Sequence, residues 1–97
     1  MPYYILLMNW TGQGISTIKD LSKRRAAAKA LIEKAGGKDL GLYLTFGQYD
    51  AVGIVQFPND EVAASVLLAI GIQGNLRTTT LKAFSESEFA KIIEKLP

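Results

Sequence analysis

The sequence predicts an α+β fold of β-α-β-β-α-β order with a short terminal helix, the ferredoxin-like split βαβ arrangement: a four-stranded antiparallel sheet with both long helices on one face. Three observations carry this. Four apolar, strand-length runs and two segments of helical period follow one another in that order. Glycine-containing steps, and Pro58-Asn59 before the second helix, separate them. The 97 residues leave room for a single domain over 1–97, which buries roughly 60–65% of the surface its unfolded chain exposes.

The first strand is Tyr3–Trp10, a continuous apolar run rich in aromatics. Its length and composition fit a strand covered on both faces. Thr11-Gly12-Gln13-Gly14 supplies a turn, and Ser16 or Thr17 then caps a helix, with Asp20 at capping-box distance from Thr17. That helix is expected over Thr17–Ala35. Ile18, Leu21, Ala28, Ile32 and Ala35 fall on one side, Lys19, Lys23 and Lys34 on the other, and Gly36-Gly37 gives the stop. Arg24 and Arg25 flank the apolar stripe, where their stems cover it and their heads reach water.

Leu40–Phe46 alternates, with Leu40, Leu42, Leu44 and Phe46 on one face. Gly47-Gln48 makes a tight connection to a second alternating run, Tyr49–Phe57, and the two read as a hairpin. Pro58-Asn59-Asp60-Glu61 opens the second helix, Asp60–Ile72, with a cap and early acids that suit the helix dipole. This helix is apolar around most of its circumference, so burial on more than one side is expected. Gly71 and Gly74 close it. Leu76–Phe84 is a β-branched strand. Glu86–Leu96 forms the last helix, with Ser85 as cap, Glu88 at capping-box spacing, and Phe89, Ile92 and Ile93 facing in.

Helices on one face leave the other sheet face to solvent, where polar residues are the rule. Strand one breaks that rule, because Tyr3 to Met8 place apolar groups on both faces. Strand three agrees, with Val52 and Ile54 on one side and Ala51, Val55 and Phe57 on the other. An open apolar face of that size calls for a cover. The expected partner is a second copy, two sheets packing face to face across a two-fold axis, with larger homo-oligomers also compatible.

Composition then removes whole classes of chemistry. With no cysteine there is no disulfide, thiolate nucleophile or Cys-bound metal, and with no histidine the commonest general base and metal ligand is missing. No cofactor and no metal site is expected. The longest run poor in charge, Val62–Ile72, is too short to span a bilayer, and no signal peptide is apparent. A cytoplasmic protein without a membrane partner is expected. The net charge of +2 is uneven: seven cations and two acids between Lys19 and Lys38 give +5, and the remainder gives −3. A basic helix of this kind suits polyanions, but the strands lack the aromatic-basic pattern of RNA-binding sheets. A solvated helix face is the preferred reading, and nucleic acid is not an expected partner.

The stretch Gly41–Val52, with Gly47, Tyr49 and Asp50 forming a Gly-x-Tyr-Asp signature, resembles the GYD domain family. The block Gly74–Phe84 and the helix start Pro58-Asn59-Asp60-Glu61 are similar to further parts of that family's pattern, so the resemblance covers nearly the whole chain. It implies a ferredoxin-like fold assembled as a dimeric α/β-barrel, and no particular reaction.

Six residues are candidates for a ligand site: Tyr3, Trp10, Tyr49, Asp50, Asn75 and Arg77. Asp50 is a carboxylate at a sheet end. Against a chemical role stands a structural one, in which Gly47 provides a backbone conformation closed to other residues and Asp50 bonds turn amides. Arg77 is suited to hold a carboxylate or phosphate in bidentate fashion, or to pair with Asp50 across the fold or between subunits; the ion pair is preferred. Trp10 is a core or interface anchor first. Trp10, Asn9 and a tyrosine also resemble the pocket residues of cofactor-free oxygenases of the dimeric α/β-barrel type, where proton handling would fall to Tyr49, Asp50 or Arg77.

The leading expectation is an oligomeric binding or regulatory module for a small aromatic or apolar ligand with one anionic group. The alternatives are a cofactor-independent oxygenase or isomerase on a small aromatic substrate, and a structural oligomer without ligand.

Overall fold

A computed structural model describes residues Met1–Pro97. The strands are β1 (Tyr3–Trp10), β2 (Lys38–Leu44), β3 (Ala51–Gln56) and β4 (Leu76–Ala83). The helices are α1 (Gly12–Ser16), α2 (Leu21–Lys34), α3 (Asp60–Ile72) and α4 (Glu86–Glu94). All neighbouring strands are antiparallel in the order β2-β3-β1-β4, the expected ferredoxin-like α+β arrangement. The central strand β1 pairs Leu6 with Gly53 of β3 on one side and with Thr80 of β4 on the other.

Alternation along β1 sorts its side chains onto two faces. Tyr4, Leu6 and Met8 turn toward the helices and are buried with Ala51 and Val55 of β3. Ile32 of α2 and Ala63 and Val66 of α3 close over them. Phe57, just past β3, is 0% exposed and meets the Tyr4 ring at 5.7 Å between centroids. Tyr3, Ile5 and Leu7 turn the other way, in register with Gln56, Ile54 and Val52 of β3 and with Ala83, Leu81 and Thr79 of β4. No helix of this chain seals that face: its β1 and β3 side chains are half-buried, and Tyr43 and Leu81 are exposed.

Four local expectations are corrected. The first helix does not begin at Thr17. The Thr11 side chain accepts from the Gly14 amide and caps α1, so Gly12–Ser16 is helical, and a 3₁₀ turn at Ile18–Asp20 leads into α2. Gly14 permits this because a Cβ there would lie 1.9 Å from the Asn75 carbonyl oxygen. The alternation of β2 breaks at a bulge between Asp39 and Gly41, which turns Leu40 outward. Leu42 alone of that set packs on the core. Leu44 is 77% and Phe46 99% exposed, since the strand ends where the Thr45 amide bonds the Asp50 carbonyl.

The third correction concerns α3, which buries one side only and leaves Leu68 and Ile72 exposed. The fourth concerns α4. Ser85 and Glu88 close the expected capping box, yet every residue from Phe89 to Pro97 is exposed, including Phe89, Ile92 and Ile93. Those side chains do not face in, because α4 lies beyond the end of β4 and has no substantial packing partner in its own chain. No helix is long and apolar enough to cross a membrane.

Candidate functional site

Between α2, α3 and the covered face of the sheet lies a cavity of about 90 Å³. Its walls are mostly apolar, with Met8 and Trp10 from β1, Leu21 and Ala28 from α2, and Leu67 and Ile70 from α3. Small residues make the space: Gly53 stands where a side chain would fill the floor beside Met8, and Ala28 faces it from the helix. Polar groups gather at the rim, supplied by Arg24, Arg25, Asp39, Gln73, Asn75 and Thr78.

The two arginines differ in their partners. Arg25 pairs through Nη1 with Asp39, whose side chain is 3% exposed. Asp39 also accepts from the Gly41 amide at the bulge, 3.2 Å away. The Arg25 guanidinium beside it holds the Asp39 carboxyl below the usual carboxylate range, against the opposing effect of burial. Arg24, one residue earlier, donates to the Gly14 carbonyl at 3.2 Å and to the Thr17 hydroxyl at 3.0 Å. Both of those partners are neutral. Its positive charge therefore stays uncompensated at the cavity rim, where an anion gains from it.

Behind the wall formed by Leu67, Leu76 and Thr78 runs a second, open groove of about 840 Å³ between α3 and the edge strand β4. Tyr4 and Asp60 bring polar groups to it, Arg77 borders it on the edge strand, and Leu68 and Ile72 bring exposed apolar side chains. The Tyr4 hydroxyl donates to Asp60, which also pairs with Lys82 at 3.1 Å. Burial first, then the Asp60 carboxylate, push the Tyr4 hydroxyl up to about 12. Asp60 is in turn held low, by the Tyr4 hydrogen bond first and by Lys82. Such a tyrosine is a donor at any physiological pH and no base.

The six sequence candidates spread over three places. Trp10 and Asn75 meet at the cavity, where the Asn75 side-chain oxygen accepts from Gln13 Nε2 at 3.0 Å. Tyr49 and Asp50 lie in the loop after β2. Gly47 there has φ +97°, the left-handed conformation expected of it. Asp50 Oδ2 accepts from the Trp10 backbone amide at 2.9 Å, so it ties the loop to the end of β1 rather than to a turn amide. Tyr3 lies on the open sheet face. Arg77 stands opposite Asn9 on the same strand face as Tyr3, and it forms no ion pair within the chain. The expected internal Arg77–Asp50 pair is absent because Asp50 is turned to β1.

Arg24, Arg25 and Asp39 went unnoticed as site residues. The arginines carried a weak signal, flanking an apolar helical stripe, but the register that sets Asp39 against them depends on a bulge. No cluster of ligating side chains suited to a metal ion exists in the chain.

A family model for the GYD domain matches residues 4–93. The chain belongs to the GYD domain family. No curated protein matches the sequence significantly. Among solved structures, TTHA0845 from Thermus thermophilus is similar at a TM-score of 0.54 and 24% identity, over 88% of this chain and 95% of that one. The leucine response regulatory protein LrpA of Mycobacterium tuberculosis gives a TM-score of 0.60 at 17% identity over 87% of this chain. The GYD chain spans about half of LrpA, 51% of its length. The C-terminal domain of the MgtC protein from the same organism gives 0.55 at 9% identity, over 84% of this chain and 86% of that one. At these identities the likeness is one of fold.

Proposed function

We propose that this GYD protein is an oligomeric module, acting in the cytoplasm, that binds a small ligand with an apolar tail and one anionic group. The observation that carries the reading is the pairing of an apolar hollow with Arg24, a cation whose hydrogen-bond partners are all neutral. Volume narrows the tail. An engineered cavity of about 150 Å³ takes up benzene; a hollow of about 90 Å³ favours a short branched aliphatic chain over an aromatic ring. Trp10 and Asn75 then line the seat. A larger ligand would extend past Leu67 and Leu76 into the open groove between α3 and β4. Tyr3 would belong to the seam between subunits, and Tyr49 and Asp50 would shape the end of β1 under Trp10.

Binding is favoured over turnover by the acid–base inventory of the cavity. Its one carboxylate, Asp39, is held ionised by Arg25, and the chain has no histidine to share a proton with it. A cofactor-independent reaction finds no poised base there.

Trp10 is the chain's single tryptophan and lies on the cavity, so its fluorescence reports occupancy directly. Titration with isovalerate and benzoate should give a saturable change, stronger for isovalerate, accompanied by a rise in Tm. Arg24→Gln should weaken the effect about tenfold or more, in keeping with loss of a charge-assisted bond. A flat titration for all short carboxylates, in a protein that remains folded, would contradict the reading.

A further inference from the structure

Asn75 stands on the cavity wall with Arg24, and an asparagine amide has an acceptor end and a donor end. Two hydrogen bonds from one nitrogen fix which end is which. The Gln73 backbone carbonyl only accepts. Gln13 Nε2 donates to it at 3.0 Å, so the Gln13 amide turns its nitrogen toward this segment. The same nitrogen donates at 3.0 Å to Asn75, whose side-chain oxygen is therefore the atom spent on Gln13. Asn75 Nδ2 is the end left over, and it donates to no group of the chain.

The rest of α1 pins this relay. The Thr11 amide donates to the Asn75 carbonyl at 3.1 Å, and the Gly14 backbone packs against that same carbonyl. With the backbone of Asn75 held, the Gln13 bond alone decides how its amide is turned.

Gly14 also brings a second donor to this corner of the rim. Its carbonyl accepts from both Nη1 and Nη2 of Arg24 at 3.2 Å. Thr17 takes one more bond, so at least two of the five guanidinium N–H groups stay free. No unmatched negative charge opposes them, because Asp39 is paired with Arg25.

We infer that Arg24 and Asn75 together read a carboxylate, one oxygen each, and that Gln13 is the positioning residue that keeps the Asn75 N–H free for it. The inference rests on the anionic-ligand reading of the cavity and names the group and its second contact. A carboxylate offers two acceptor oxygens and no donor. A primary amide of the same shape has one oxygen and one NH₂, so one end always sets N–H against N–H, a mismatch that is costly out of water.

The test is the ratio of the Kd values for isovaleramide and isovalerate, read from Trp10 fluorescence in the full chain. The wild type should favour isovalerate at least about tenfold. Asn75→Asp keeps an oxygen for Gln13 but offers the ligand an acceptor, so isovalerate should weaken about tenfold or more and isovaleramide should gain. Gln13→Leu, at an exposed position, frees the Asn75 amide to turn and should shrink the ratio with Tm nearly unchanged. A merely structural Gln13 would leave that ratio where it was. An unchanged ratio in Gln13→Leu, whether or not Asn75→Asp folds, overturns the relay and leaves the Arg24 seat standing. A wild type that binds neither compound overturns the seat and the relay together.

Discussion

The two faces of the sheet are built from the same kinds of residue and end in different states. On the covered face Tyr4, Leu6 and Met8 are sealed by α2 and α3. On the open face their neighbours Tyr3, Ile5 and Leu7, with Val52 and Ile54 of β3, are shielded only by one another. Apolar character is therefore no guide to which face a chain buries by itself. Connectivity decides, because the two crossovers, β1 to β2 and β3 to β4, each join parallel strands one strand apart and return on the same side of the sheet.

The comparison breaks most violently on the covered side. Phe57→Ala removes the one fully buried large side chain and should cost about 3–5 kcal/mol, a large part of a small domain's stability, read by urea unfolding. On the open side Ile54→Ala should cost far less in the same assay at concentrations where the protein is monomeric, and should instead weaken association.

A smaller effect sits at the rim of the covered face. Arg25→Ala strands the Asp39 carboxylate and should cost about 2 kcal/mol, since the arginine itself is a third exposed. Asp39 is depressed in the fold, so its contribution is complete above the ordinary carboxylate value of about 4 and is lost as pH falls through the lower folded value. Acid titrations of stability should show that loss in the wild type and a flatter profile in Arg25→Ala.

The smallest effect belongs to Tyr4→Phe, about 1 kcal/mol at neutral pH. The Tyr4 hydroxyl is raised from about 10 to about 12, so its share of stability is present below pH 10 and fades between those values. The phenylalanine variant should lack that alkaline decline.

The sequence was most readable where one local signal sufficed. The bounds of α3 and the caps at Asn59 and Ser85 follow from residue type and spacing. Apolar groups on both sides of β1 were visible in an unbroken run, and they foretold the half-sheltered open face. Signals that depend on distant residues were lost. Nothing near Gly12 announces that Gly14 will back onto Asn75, and so a helix stands where a turn was expected. The bulge at Asp39 hid the ion pair with Arg25, and a six-residue loop carried Phe46 away from the face that alternation gave it. At the site, Trp10 and Asn75 do share a cavity, while Tyr3 and Arg77 lie on the other side of the sheet, a separation that strand pairing sets and composition cannot.

The central claim, that a second copy covers the open sheet face, meets its most direct trial in light scattering on the eluting wild-type protein at tens of micromolar, beside Ile54→Lys. The expected mass is that of at least two chains for the wild type and of one, still folded, for the lysine variant. A wild type that elutes with the mass of a single chain, its Tyr3 and Ile5 in water, would contradict it.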